Sequence, residues 1–202
     1  MPLWLARHPL VLASKSAARQ AMLRAAGIPI EVLAADVDER AIEARASSEE
    51  PNQVAALLAR EKAAAVNRLT PGRLVLGADQ VLTLDTKRFS KPADRSAARV
   101  QLLMLSGRTH ELHSAAACVY DGKVLFEHVG VARLAMRALS DAFVDDYLDA
   151  VGGAATASVG AYQLEGPGVQ LFERVDGDYF TILGMPLLPV LDFLRRHGCL
   201  AS

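Results

Sequence analysis

The stretch LVLGADQVLTLD, residues 74–85, constrains the fold more than any other part of the sequence. Val75 and Leu76 predict one buried strand, and the apolar residues after Gln80 predict a second, so Asp79 stands between two segments that belong in a core. An ionised carboxylate that is buried without a partner costs several kcal/mol. We therefore expect Asp79, at the end of a strand, to be paired, hydrogen-bonded or bound to a metal.

Short apolar runs alternate with helical segments along the whole chain. Asp-Gly turns at Asp121 and Asp176 predict hairpins, and hence antiparallel strand pairs within an otherwise alternating pattern. The segment SSEEPNQVAALLAREKAAAVNRL predicts a helix in which serines precede acidic residues and Pro51 stands near the first turn. These features predict an α/β fold with a mixed, twisted β-sheet flanked by helices, in a single domain over residues 1–202.

Composition limits the classes of function. The net charge of -1 argues against general binding to nucleic acid or to anionic membranes. No stretch is apolar and unbroken enough to predict a membrane span or an export signal. Cys118 and Cys199 form no Cys-x-x-Cys pair, which favours reduced thiols and a cytoplasmic protein.

A strand followed by LASKSAAR, residues 12–19, is a candidate phosphate cradle. The free N–H groups of a helix N-terminus would join the hydroxyls of Ser14 and Ser16 and the charges of Lys15 and Arg19. The glycines of a Walker A loop are missing. A serine-capped helix with surface cations explains the pattern equally well.

Carboxylates and lysines supply further candidates. Glu39 follows the second predicted strand and could share a Mg²⁺ ion with Asp79, although a solvated loop explains its segment DVDER as well. Lys62 lies near the apolar face of a predicted helix, where a lysine ordinarily extends to water. Lys91 precedes a proline and could direct a charge at a site.

Two other segments carry chemistry-bearing residues. The histidines of THELH, residues 109–113, are three apart in a predicted strand and so lie on opposite faces, which excludes the zincin motif. The segment GAYQLEGPG places Tyr162 and Glu165 among glycines that would let the backbone approach a flat ligand. A flexible loop is the alternative.

In their order and spacing these segments resemble the Maf family of nucleoside triphosphate pyrophosphatases, also called septum formation inhibitor-like proteins. The resemblance covers nearly the whole chain, and eight fragments in order carry it. They are LASKSAARQAML, DVDE, AREKA, GADQV, KPAD, LSGRTHE, GAYQLEG and GDYFTILGMPL.

The resemblance implies a Maf/ITPase-like fold with a cleft between two lobes. It implies hydrolysis of a nucleoside triphosphate between the α and β phosphates, with Mg²⁺ or Mn²⁺ as cofactor, and a homodimer. Asp79 would be the proton acceptor and, with Glu39, a metal ligand. The phosphate-binding cations fall on Arg19, Lys62 and Lys91, and the loop serine falls on Ser16.

Departures from the family pattern bear on the nucleobase. An arginine of the family's S-x-S-P-R-R run is replaced by Ala18. Gln80 and Glu165 resemble the branch that acts on 7-methyl-GTP, because a glutamate could accept hydrogen bonds from guanine. The alternatives are the dTTP/UTP branch and a non-catalytic nucleotide sensor that restrains cell division.

Overall fold

The structure of the protein, a computed structural model, describes residues 3–45 and 50–202. Its strands are β1 Leu10–Leu12, β2 Ile30–Val32, β3 Val75–Leu84, β4 Lys87–Phe89, β5 Thr109–Tyr120, β6 Lys123–Met136 and β7 Phe172–Asp176. Its α-helices are α1 Ala17–Ala25, α2 Glu39–Arg45, α3 Pro51–Asn67, α4 Arg95–Leu105, α5 Asp141–Val151, α6 Tyr179–Ile182 and α7 Leu187–Arg196. Short 3₁₀ helices lie at Gly152–Thr156, Val159–Ala161 and Pro167–Leu171.

The predicted mixed α/β sheet is confirmed. The strand order is β2-β1-β3-β5-β6-β7, with β4 beside β3. Strand β1 pairs in parallel with β2 and β3, whereas β3 with β4 and β6 with β7 are antiparallel. Asp121 and Gly122 both have positive φ at the turn between β5 and β6, as the Asp-Gly pair predicts for a hairpin. No helix in the described part of the chain is both long and apolar enough to cross a bilayer.

The chain forms two compact units. The first comprises Met1–Gln80, Ser114–Gly130 and Tyr179–Ser202, and the second comprises Val81–His113 and Val131–Asp178. That both belong to one domain remains our prediction.

In the first unit, alternating side chains of the strands pack against helices on both faces of the sheet. Leu10, Leu12 and Leu76 pack with residues of α1 and α7. Val11 and Val75 on the opposite face pack with residues of α3. Because helices cover both faces of the sheet, the side chains that alternate between the faces are buried on each side. The strands are therefore apolar at nearly every position.

Strand β3 corrects our prediction of two strands with Asp79 at the end of the first. It runs unbroken from Val75 to Leu84, so Asp79 lies inside it. Gly77 does not make a turn. A Cβ there would lie 2.2 Å from the carbonyl oxygen of Ala59 and 2.7 Å from the amide nitrogen of Ala63, so the glycine lets β3 and α3 approach closely.

Helices α6, α2 and α3 test three further predictions from the sequence. The turn at Asp176 leads into helix α6 instead of a second strand, because a short apolar run such as YFTI does not distinguish helix from strand. Glu39 begins helix α2, where we predicted a loop. Helix α3 begins at Pro51 as predicted, and the serines at 47 and 48 lie outside the described residues.

Candidate active site

Asp79, Lys62 and Glu39 form a charged cluster in the first unit. The Lys62 Nζ atom lies 2.5 Å from Oδ1 of Asp79 and 2.7 Å from Oε1 of Glu39. The side chains of Lys62 and Asp79 are only 12% and 10% exposed, whereas that of Glu39 is 53% exposed. One buried ammonium group therefore bridges a buried carboxylate and a solvent-facing one.

The local structure explains why these groups meet. Val75, Gly77 and Asp79 lie on the face of β3 that packs against α3, because side chains alternate along a strand. The close approach at Gly77 brings α3 near enough for Lys62 to reach Asp79. Our prediction that Asp79 has a partner is confirmed, but the expectation that Lys62 extends to water is wrong, because its ammonium group is held inward by two carboxylates.

Arg19 lies at the N-terminal end of α1 and binds three segments of the first unit. Its Nε donates to the carbonyl oxygen of Gly184 at 2.8 Å, and its Nη1 donates to the carbonyl oxygen of Ala78 at 2.8 Å. Nη1 also donates to Oγ of Ser14 at 3.2 Å. Nη2 makes no hydrogen bond with the residues that the structure describes, so two N–H donors remain for a ligand.

Burial and two nearby carboxylates act in opposite directions on the charge of Arg19. Burial lowers the pKa of its guanidinium, and the charges of Asp79 and Glu39 act in the opposite direction. An arginine side chain nevertheless stays protonated in a protein. A fixed, desolvated cation is therefore present near the carboxylate pair.

The two predicted loop serines hold the turn before α1. Ser16 caps the helix, because its Oγ accepts from the amide of Arg19 at 3.4 Å. Ser14 is buried, and its Oγ accepts from the amide of Ser16 at 3.2 Å. Since the Ser14 oxygen accepts from two donors, its own O–H remains able to donate. Ala18 follows on α1 with a half-buried methyl side chain, which offers no polar group.

Gln80 is held by its amide group. Its Nε2 donates to Oγ of Ser114 at 2.9 Å and to the carbonyl oxygens of Thr181 and Ile182 at 3.2 and 3.0 Å. These bonds connect β3 to β5 and to α6. The amide nitrogen is thus occupied within the protein, and only the carbonyl oxygen of the side chain is left to meet a ligand.

Lys91 and Glu165 lie in the second unit. Both side chains are exposed, and Lys91 precedes the buried Pro92, which limits its backbone. The segment that leads to Glu165 is well held: Tyr162 is buried, and its hydroxyl lies 2.7 Å from Nε2 of His110. The alternative of a flexible loop is therefore correct only in part. The backbone of the segment is irregular, but its beginning is held in place by the buried Tyr162.

The predicted residues thus separate by unit. Glu39, Lys62, Asp79 and Arg19 gather in the first, with Ser14 beside Arg19. In the part of the chain that the structure describes, no group of three or more His, Cys, Asp or Glu side chains could hold a metal ion. Glu39 and Asp79 are the two carboxylates that share the ammonium group of Lys62.

Residues 9–197 match the family described as Maf-like protein. The chain belongs to the Maf family. Proteins named nucleoside triphosphate pyrophosphatase are similar over the whole length, at 57% identity in Rhodopseudomonas palustris CGA009 and 53% in Bradyrhizobium diazoefficiens, each covering 100% of both chains. A protein of Mesorhizobium japonicum named 7-methyl-GTP pyrophosphatase is 54% identical and covers 95% of this chain and 97% of its own.

Among solved structures, a nucleoside-triphosphatase / dITP/XTP pyrophosphatase of Mycobacterium abscessus resembles this Maf protein distantly. It covers 65% of this chain and 76% of its own, at 17% identity and a TM-score of 0.40. A likeness at that level carries no argument about function.

Some partners in this Maf protein could not have been found from sequence. The acceptors for Arg19 are backbone carbonyls of Ala78 and Gly184, which carry no side-chain signal. Ser114 lies in the apolar run HSAAACV and gave no hint that it binds Gln80. These contacts depend on tertiary structure alone.

Proposed function

We propose that this Maf protein hydrolyses a nucleoside triphosphate between the α and β phosphates, releasing a nucleoside monophosphate and pyrophosphate. The observation that carries the proposal is the cluster of Glu39, Lys62 and Asp79 near Arg19, in a chain that matches named nucleoside triphosphate pyrophosphatases over 100% of its length. Cations and carboxylates side by side are what hydrolysis of a charged phosphoanhydride needs.

In the proposed reaction, a water oxygen attacks the α phosphorus. The bond from that phosphorus to the bridging oxygen breaks, and pyrophosphate leaves with the electron pair. Asp79 accepts the proton that the water loses, because Lys62 fixes its Oδ1 atom, while its Oδ2 atom has no hydrogen bond among the described residues. A buried, oriented base needs little reorganisation before the reaction.

Cationic side chains offset the charge that develops on the leaving group. Arg19 has two N–H donors on Nη2 that the described part of the chain does not use, and they could donate charge-assisted hydrogen bonds to phosphate oxygens. The Ser14 hydroxyl can donate beside it. The ammonium group of Lys62 would contact the substrate phosphates in place of Glu39. We assign Lys91 to the phosphates from the resemblance.

The carboxylates of Glu39 and Asp79 fit a divalent cation. Mg²⁺ and Mn²⁺ prefer oxygen ligands, and Mg²⁺ commonly uses one or two carboxylates together with waters and substrate phosphates. Such an ion, when bound, would neutralise phosphate charge and polarise the scissile bond. Because Glu39 is half exposed while Asp79 is buried, Glu39 is the residue that can move to admit the ion.

For the base we propose 7-methyl-GTP, with dTTP and UTP as the alternative. The exposed carboxylate of Glu165 could accept hydrogen bonds from the N1–H and amino groups of guanine. Gln80 could contribute only its side-chain carbonyl oxygen, since its amide nitrogen is bound within the protein. Ala18 leaves space where the family has an arginine. The similar protein of Mesorhizobium japonicum supports this choice.

We also propose that the enzyme acts on free nucleotides in the cytoplasm, as a homodimer. Cys118 and Cys199 are free thiols in the core, and burial raises the pKa of each, as suits unreactive cysteines in a reducing compartment. Light scattering of the purified chain tests the dimer.

The decisive experiment measures pyrophosphate release from dTTP, UTP, GTP, 7-methyl-GTP and pseudo-UTP. We expect the highest kcat/KM with 7-methyl-GTP. Glu165→Gln should lower that value with little change for UTP, whereas Glu173→Gln, an exposed change elsewhere in the second unit, should alter neither. Tight binding of a nucleotide that stays intact would instead favour a sensor without turnover.

A further inference from the structure

Gln101 on helix α4 connects two segments of the second unit that carry proposed substrate-binding residues. Its Nε2 donates to the carbonyl oxygen of Ser90 at 2.7 Å, and its Oε1 accepts from the amide of Gly160 at 3.2 Å. Ser90 immediately precedes Lys91, and Gly160 begins the segment that leads to Glu165. One side chain thus holds the backbone of both.

The Gly160 contact lies where the backbone is most constrained. Gly160 has a φ of 81°, and a Cβ there would lie 2.6 Å from Cε1 of Tyr162 and 2.7 Å from Cδ1 of Leu82. The next residue, Ala161, also has positive φ, and its carbonyl oxygen accepts from the hydroxyl of Tyr147 at 3.3 Å. Close contacts and hydrogen bonds therefore constrain the start of the segment, and Gln101 accepts from the amide of Gly160.

The Ser90 contact acts on a short connection. Lys91 lies between the end of β4 at Phe89 and the beginning of α4 at Arg95. Pro92 fixes one backbone angle after Lys91, and the bond to Ser90 fixes the position before it. Without that bond, the backbone that carries the exposed Lys91 side chain would be less constrained.

We propose that Gln101 is a positioning residue that sets Lys91 for the phosphates and Glu165 for the base through its two hydrogen bonds. The inference rests on the proposed function of those two residues. Gln101 itself touches no substrate. Because its amide has one donor end and one acceptor end in use, the two effects can be separated by substitution.

Gln101→Glu keeps an acceptor for the Gly160 amide but cannot donate to the Ser90 carbonyl. Gln101→Met keeps the length of the side chain and loses both bonds. We expect Gln101→Glu to lower kcat about tenfold while the ratio of kcat/KM for 7-methyl-GTP to that for UTP stays as in wild type. We expect Gln101→Met to lower kcat and that ratio together. Val100→Met, on the exposed face of the same helix, is the control and should change neither.

A double-mutant cycle distinguishes positioning from a general effect on the fold. In a Lys91→Ala background, Gln101→Glu should reduce kcat no further, because the group that it positions is gone. An equal reduction in both backgrounds overturns the proposal. So does a wild-type kcat and base ratio in a folded Gln101→Met protein.

Amide hydrogen exchange tests the contact without any nucleotide. The Gly160 amide should exchange faster in Gln101→Met than in wild type and remain protected in Gln101→Glu. Unchanged protection in Gln101→Met refutes the bridge itself. If exchange behaves as expected but no nucleotide is hydrolysed by the wild-type protein, the proposed function has failed and the positioning role fails with it, while the bridge stands.

Discussion

The ammonium nitrogen of Lys62 lies 2.5 Å from Oδ1 of Asp79 in the interior of the first unit. The same nitrogen lies 2.7 Å from Oε1 of the more exposed Glu39. Lys62 therefore compensates the buried carboxylate that the sequence placed among apolar residues. It also leaves that carboxylate oriented, with one oxygen engaged.

Asp79→Asn should abolish most of the activity while leaving the fold intact. Asparagine has the same shape and can still accept from Lys62, but it is no longer a base. We expect kcat to fall by at least about 100-fold, the typical contribution of a general base. Pyrophosphate release measures the loss of activity, and circular dichroism checks that the fold is intact. Asp36→Asn, an exposed neighbour in sequence of Glu39, is the control and should keep wild-type kcat.

Lys62→Met should destabilise the protein more than the double variant Lys62→Met, Asp79→Asn. The single change leaves a buried carboxylate without its partner, which typically costs about 3–5 kcal/mol. The double change removes that charge and should recover much of the loss. Urea unfolding at neutral pH gives the free energies, with the exposed Lys123→Met as the control. Equal losses in the single and double variants would mean that Asp79 gains little from Lys62.

Gly77→Ala should separate α3 from β3 and affect both stability and activity. The added Cβ would meet backbone atoms of Ala59 and Ala63 at 2.2 and 2.7 Å, and backbone cannot rotate away as a side chain can. We expect a loss of about 1–3 kcal/mol in the free energy of unfolding, the usual range for overpacking. Gly153→Ala is the matched control, since no atom of the residues that the structure describes lies within 4 Å of a Cβ there. Thermal melts that coincide for the two variants would contradict the close approach.

Glu39→Gln should weaken the proposed binding of the divalent cation without unfolding the protein. The amide keeps the shape but loses the charge that attracts the ion. We expect the Mn²⁺ concentration that half-saturates the protein to rise by about tenfold or more, measured by titration with electron paramagnetic resonance. Glu43→Gln, exposed on the same helix, serves as the control. Equal Mn²⁺ affinity in all three proteins would remove Glu39 from the metal site.

His110 should make the stability of the protein depend on pH below neutrality. Burial lowers the pKa of His110 to about 4 from its ordinary value of 6.5. The unfolded state therefore binds more protons at this residue than the native state between these pH values. The free energy of unfolding consequently has its full contribution from His110 well above pH 6.5 and declines as pH falls towards 4. At pH 5 the decline should be about 2 kcal/mol.

Urea unfolding at pH 7.5 and pH 5 measures this decline. The difference between the two pH values should be smaller by that amount in His110→Phe, which has no titrating group. The same pH dependence in His110→Phe as in wild type would show that other groups cause it.

The sequence predicted the local structure well where one residue type determines it. Ser140 caps α5 and Gly107 with positive φ follows α4, because hydroxyl acceptors and left-handed glycines act within a few residues. It failed at Gly77, where a glycine serves packing instead of a turn. That role depends on a helix 18 residues earlier at Ala59, which no local pattern encodes.

The candidate site was predicted in its residue types but not in its connections. The resemblance identified Glu39, Lys62 and Asp79, and the structure brings them together. The resemblance did not indicate that the amide nitrogen of Gln80 donates to Ser114 and to two carbonyl groups of α6. Backbone carbonyls are present at every residue, so the ones that matter emerge only from the fold.

The bond from Arg19 to the carbonyl oxygen of Gly184 joins positions 165 residues apart. A chain still on the ribosome contains Arg19 and its partners Ser14 and Ala78 long before it contains Gly184. Translation products that stop before Gly184 should therefore leave Nε of Arg19 without its acceptor. We expect hydrolysis to begin only after the segment around Gly184 has been synthesised and has left the exit tunnel.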